Sequence, residues 1–227
     1  MLPLFCARLN RRTIVHNNHV IVCRSQPGPV LLDEKGNWTR VQGGMMNSEG
    51  LADGDEVLSF IALDLDDQQH LASKYGDQIM RQLIKALGLH IQKLILSLIT
   101  LSANCQLYYM HGGRFYLVLR EFSLEKAREK AESLRRNIDG NISLELSERS
   151  NSLLIVPDIT MHLGVTSYKH AKLKELLQRY GSVIDVCAKI NQELDMVLKM
   201  GMDAGGNKVM SWDPKMKGFI RLDSIEQ

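Results

Sequence analysis

The sequence lacks most of the features that mark secreted, membrane-spanning or nucleic-acid-binding proteins. Its four cysteines, Cys6, Cys23, Cys105 and Cys187, lie far apart and form no Cys-x-x-Cys. That excludes a disulfide framework and leaves free thiols in a reducing compartment. No apolar run reaches the ~18 residues that suggest a membrane-spanning helix. The apolar stretch from Met1 to Ala7 is too short for a signal-peptide core, and no charge precedes it. An excess of one charge is missing too: 28 Lys+Arg stand against 26 Asp+Glu, a formal net charge of +2. With no basic run to reinforce it, that balance argues against nucleic acid as a partner. The expected setting is cytoplasmic; Arg8, Arg11 and Arg12 carry the alternative, a transit segment leading to an organelle stroma or matrix. His16 and His19 have a spacing that metals use, but no helix and no third ligand accompany them. No metal and no cofactor are expected.

What is present is a globular composition, 44% hydrophobic in 227 residues, enough for one large domain or for one domain with a substantial extension. Residues 1–57 differ from the rest. They hold Pro3, Pro27 and Pro29, much Gly and Asn, and short apolar runs at Val20–Cys23, Val30–Leu32 and Trp38–Val41. They read as an N-terminal extension or small β-rich subdomain. Residues 58–213 read as the main domain and 214–227 as a C-terminal tail.

Leu58 to Leu63 is a continuous apolar run ending at Asp64, Asp66 and Asp67. A strand buried on both faces reads this way when it delivers acids to a sheet edge. Acids at i and i+2 share a side of a strand, so Asp64 and Asp66 could share a cation. Tyr75-Gly76-Asp77 breaks a short helical stretch, and Asp77 is a candidate N-cap for a long helix to about Ala103. The part from Leu94 to Leu101 is apolar nearly all round, which fits a helix packed on two sides or a dimer or partner surface. From Cys105 to Arg120, two stretches of strand formers flank Gly112-Gly113, a hairpin signal because both glycines take φ > 0 at no steric cost. Ser123 then opens an amphipathic helix to Ile138, with a short strand at Ile142–Leu146 and another at Ile159–Thr166. Helices at Ala171–Tyr180 and Val183–Met200 follow, parted by Gly181, and a last strand at Lys208–Trp212. The order predicts an α+β sandwich with a central mixed β-sheet flanked by helices.

In order and spacing, residues 57–213 resemble the GGDEF domain, the nucleotidyl-cyclase-like catalytic domain of diguanylate cyclases. Asp64-Leu65-Asp66 resembles the family's first-strand Asp-x-Asp, and Tyr75-Gly76-Asp77 its Phe-Gly-His turn. His111-Gly112-Gly113-Arg114-Phe115-Tyr116 sits where the signature hairpin belongs. Ile159 to Val165 resembles the family's Val-Thr-x-Ser-x-Gly-Val strand. Leu194-Asp195 through Val209 resembles its closing helix and Gly-Arg-Asn segment.

The resemblance implies a divalent cation held by Asp64, by the carbonyl of Leu65 and by acids after the Gly-Gly. Here Arg114 and Phe115 replace those acids. It implies guanine recognition at two positions occupied here by Ala72 and Arg81, neither suited to it. The family's phosphate-holding Lys and Arg fall at Met202 and Gly206, and its product-inhibition motif near Ala103 and Gln106 is missing. One lost metal ligand or oxyanion donor costs about 10² to 10³ in rate; losing several together implies no cyclase and no catalytic residues. The expectation is a degenerate GGDEF-like domain, a pseudoenzyme in signalling that works as a regulatory or interaction module. Its partner would be another protein or itself. Candidate surfaces are the hairpin tip (His111, Arg114, Tyr116), the apolar end of the long helix at Leu94, Leu98 and Leu101, and the N-terminal extension. One alternative is a nucleotide sensor using residual contacts from Asp64, Asp66 and the Leu65–Gln69 turn. Another is a phosphatase of the haloacid-dehalogenase type with Asp64 as nucleophile and Asp66 as acid/base. Gln68 departs from that motif.

Overall fold

A computed structural model describes residues 19–20, 30–32, 38–40, 46–47, 57–98, 105–145, 153–213 and 218–221. In chain order the elements are β1 (His19–Val20), β2 (Val30–Leu32), β3 (Trp38–Arg40), β4 (Met46–Asn47), β5 (Val57–Leu65) and α1 (Gln68–Leu98). Next come β6 (Cys105–His111), β7 (Arg114–Arg120), α2 (Leu124–Ile138), β8 (Gly140–Glu145), β9 (Leu153–Ile159) and β10 (Met161–Lys169). The chain closes with α3 (His170–Tyr180), α4 (Val183–Asp203), β11 (Val209–Asp213) and β12 (Gly218–Arg221).

The apolar run of β5 forms the middle of the main sheet, in which the strands lie in the order β12-β11-β10-β5-β7-β6-β2-β3. Its two neighbours, β10 and β7, both run antiparallel to it. The pair β10–β11 is parallel, so the sheet is mixed. Strand alternation sorts β5 onto two layers. Ile61, Leu63 and Leu65 pack with Met80, Leu83, Leu87 and Ile91 of α1 and Ala127, Ala131 and Leu134 of α2. Leu58, Phe60 and Ala62 pack with Leu173 and Leu176 of α3 and Val186, Ile190, Leu194 and Leu198 of α4. Each fully buried Leu, Ile or Phe contributes about 1.5–3 kcal/mol. Two helical layers on one sheet therefore give the α+β sandwich that the sequence predicts.

Several boundaries follow from local chemistry. Gly76 adopts φ 77° and ψ 165° and kinks α1 at the expected break. The Ser123 side chain caps α2 by accepting from the Lys126 N–H, and Ser182 does the same for α4 from Asp185. Gly181 ends α3 in the left-handed region.

Three elements differ from expectation. The strand foreseen at Ile159–Thr166 is two: β9 ends at Ile159, and β10 begins at Met161 and runs to Lys169. β9 pairs with β8 in a separate ribbon. Its Pro157 argues against a strand in sequence, yet an edge strand tolerates proline. Residues 218–221, read as tail, form β12 on the edge of the main sheet. The foreseen helix end near Ala103 lies outside the described residues, as does His16. Among the described residues no helix is long and apolar enough to cross a membrane.

Candidate functional site

The hairpin of β6 and β7 and the end of β5 meet at one end of the central strands of the sheet. Gly112 and Gly113 turn the hairpin with φ 55° and 80°. A Cβ on Gly113 would stand 3.0 Å from the Leu65 Cβ, and one on Gly112 would stand 3.3 Å from the Gln68 Nε2. Both glycines are thus required by conformation and by close approach. Gln68, at the start of α1, covers the tip.

β7 alternates as β5 does. Phe115, Leu117 and Leu119 face α1 and α2; Tyr116 and Val118 face α4. Arg114 shares the side of Tyr116, and the register sets it directly opposite Asp64. Its guanidinium donates to Asp64 Oδ2 from Nη2 at 2.5 Å and from Nε at 3.1 Å. Nη1 reaches across to Asp195 of α4 at 2.6 Å. The side chains of Arg114 and Asp64 are 21% and 17% exposed, whereas that of Asp195 is 47% exposed. Burial works against the charge on Arg114, but the charge of Asp64, with smaller contributions from Tyr116 and Asp195, outweighs it and raises the guanidinium's pKa. The phenol of Tyr116 is pushed up, chiefly by burial.

Asp66 is engaged separately. Its Oδ2 accepts from the Thr160 hydroxyl at 2.7 Å and from the Asn207 backbone N–H at 2.8 Å. Its Oδ1 lies 2.7 Å from His162 Nδ1. Gly206 packs so closely that an added Cβ would stand 2.7 Å from Oδ1. Burial alone would raise the Asp66 pKa; the bonds from His162, Thr160 and Asn207 overcome it and hold the carboxyl below its ordinary value. One acid thus pins the end of β5 to β10 and to the turn before β11.

The sequence expectations meet this geometry unevenly. Asp64 and Asp66 do not converge on one open position; each has its own protein partners. Two carboxylates hold Arg114. Tyr116 is corrected as a surface residue: it is 3% exposed, because β7 is buried on both faces. Leu94 and Leu98 are half-buried against the α1/α2 core. Leu101 and the side chain of His111 lie outside the described residues. Ala72 is half-buried beside the kink, and Arg81 and Met202 are exposed. Sequence reasoning missed Asp195, His162 and the Asn207 N–H as partners. They come from helix and strand positions distant in the chain, and no spacing marks them.

Solved structures share this architecture. The GGDEF domain of DgcB from Caulobacter crescentus, in complex with c-di-GMP, superposes with a TM-score of 0.51 at 16% identity, over 69% of this chain and 78% of that one. The coiled coil and GGDEF domain of DgcB gives a TM-score of 0.53 at 14% identity, over 73% and 74%. The GGDEF domain of YfiN (TpbB) from Pseudomonas aeruginosa gives 0.52 at 13% identity, over 70% and 83%. No protein-family model and no curated protein matches the chain. At these identities the likeness establishes the fold: the chain has the GGDEF-domain fold.

Proposed function

We propose that this GGDEF-fold chain is a catalytically silent module, one that acts through contacts with other proteins and makes no cyclic dinucleotide. A cyclase of this fold needs a divalent cation to neutralise phosphate charge and activate a hydroxyl. The supporting observation is the guanidinium of Arg114 seated on Asp64. It brings a fixed positive charge to the carboxylate that the cation would need. A divalent ion about 4 Å from that charge meets a repulsion on the order of several kcal/mol at an effective dielectric of about 20.

The surroundings agree. Phe115 is buried in the core and offers no ligand. Gln68 lies over the hairpin glycines. Arg81 stands where the resemblance puts a guanine-binding acid, and it cannot accept from guanine N–H groups. The nucleotide-sensor alternative needs Asp64 or Asp66 open to a ligand, and the phosphatase alternative needs Asp64 to attack phosphorus. Arg114 holds the first acid, and His162, Thr160 and Asn207 hold the second.

The test is direct. Purified full chain is incubated with GTP and Mg²⁺ and the products are separated by chromatography. No cyclic dinucleotide is expected, and Arg114→Glu alone should not restore synthesis, because Ala72, Arg81, Met202 and Gly206 leave base and phosphates unheld. Product from the unaltered chain sinks the reading.

A further inference from the structure

The helices differ in the acids that accompany their cations. In α2, Glu132 pairs with Arg135 and Arg136. In α3, Lys172 pairs with Glu175, while Lys174 and Arg179 are exposed without an ion pair among the described residues. In α4, Lys189 pairs with Glu193 and Lys199 with Asp203. The part of α1 beyond its kink carries Arg81, Lys85 and Lys93, and no acid follows Asp77. All three side chains are exposed, and among the described residues none makes an ion pair.

At about 100° per residue these cations fall within roughly 120° of the helix circumference, on the side away from the buried Met80, Leu83, Leu87 and Ile91. Leu96, 45% exposed, and the half-buried Leu89 lie in the same sector. From Arg81 to Leu96 the face is about 22 Å long. It is basic and partly apolar, and no described residue neutralises it.

We propose that this face of α1 is the docking surface of the module and that its partner presents an amphipathic acidic helix. The inference deepens the reading above by naming the surface and the partner's chemistry. Charge complementarity carries it. Three cations at i, i+4 and i+12 match carboxylates spaced one to three turns apart, while Leu96 and Leu89 match an apolar stripe beside them. Nucleic acid fits less well. The face has one arginine, no aromatic side chain for stacking a base, and a charge density far below one cation per phosphate.

The full chain is titrated against a fluorescein-labelled synthetic peptide of about 18 residues, roughly 27 Å as a helix. The peptide carries Glu at i, i+4 spacing beside a Leu stripe. A scrambled peptide of equal composition, a Lys-for-Glu peptide and a duplex DNA are run alongside, with fluorescence anisotropy as the readout. The acidic helix should bind in the micromolar range, weaken as salt rises past about 0.15 M, and protect the α1 amides from exchange. The triple variant R81E/K85E/K93E alters only exposed side chains. It should keep its circular dichroism and melting temperature yet lose about tenfold or more in affinity. The control K172E/K174E on α3 should bind as the parent does. No binding, equal binding of the scrambled peptide, or equal binding by the triple variant overturns the proposal. Tighter binding of the duplex overturns it in favour of nucleic acid. The GTP assay on the same samples separates the two readings: product formed there sinks the silent-cyclase reading alone, and lost peptide binding sinks this surface alone.

Discussion

Replacing Arg114 by Met probes the centre of the site. Methionine keeps most of the apolar stem, so packing is largely preserved while the charge is lost. The change strips two donors from Asp64 and one from Asp195. Truncating one partner of a fully buried ion pair costs about 3–5 kcal/mol, and an exposed pair is worth about 0–1 kcal/mol. With 21% of Arg114 and 17% of Asp64 exposed, the Asp64 arm lies between these limits, at about 2–3 kcal/mol. The Asp195 arm, 47% exposed on the acid, adds no more than about 0.5 kcal/mol. Arg114→Met should therefore cost about 2–3.5 kcal/mol, seen as a lower urea midpoint at unchanged slope. At about 2–4 °C per kcal/mol for a chain of this size, the melting temperature should fall roughly 4–14 °C. Asp195→Asn should cost only about 0.5 kcal/mol. Because the penalty comes from leaving Asp64 uncompensated, the double variant Asp64→Asn with Arg114→Met should be more stable than Arg114→Met alone. If Arg114→Met matches the parent, or if the double variant is worse than the single, the ion pair does not hold the hairpin to β5.

The Asp66 cluster sets an acid limit. A carboxyl held below its ordinary 3.8 stabilises the fold fully above that value and loses its contribution as pH falls through the lower folded value. Asp66→Asn should thus lower stability at neutral pH and flatten its decline below pH ~4, measured by urea midpoints across pH. Gly113→Ala should cost more than Gly181→Ala in the same assay: both have positive φ, but only Gly113 faces a neighbour at 3.0 Å. Tyr168→Phe should cost about 1–3 kcal/mol, because the Tyr168 hydroxyl donates to the buried Glu193, which would keep only the looser Lys189 contact.

The parts of this fold written in short-range pattern were legible in the sequence. The buried run of β5, the Gly112-Gly113 turn, the Ser123 cap and the kink at Gly76 each follow from a rule spanning a few residues. What was not legible depends on elements far apart in the chain. Asp195 meets Arg114 across 81 residues, and the Asn207 N–H meets Asp66 across 141; no local signal encodes either. Tyr116 is a different case. Its stretch, Phe115 to Leu119, is as continuously apolar as β5, so the rule that buries β5 on both faces buries β7 as well. Treating Arg114-Phe115-Tyr116 as a displayed tip overlooked that symmetry. Applied evenly, the rule also constrains Arg114. A guanidinium at the first position of a strand buried on both faces has to be neutralised by an acid that the neighbouring strand supplies. The antiparallel register with β5 puts Asp64 there. The same alternation that exposes an acid at the end of β5 thus leaves it facing a cation built into the chain.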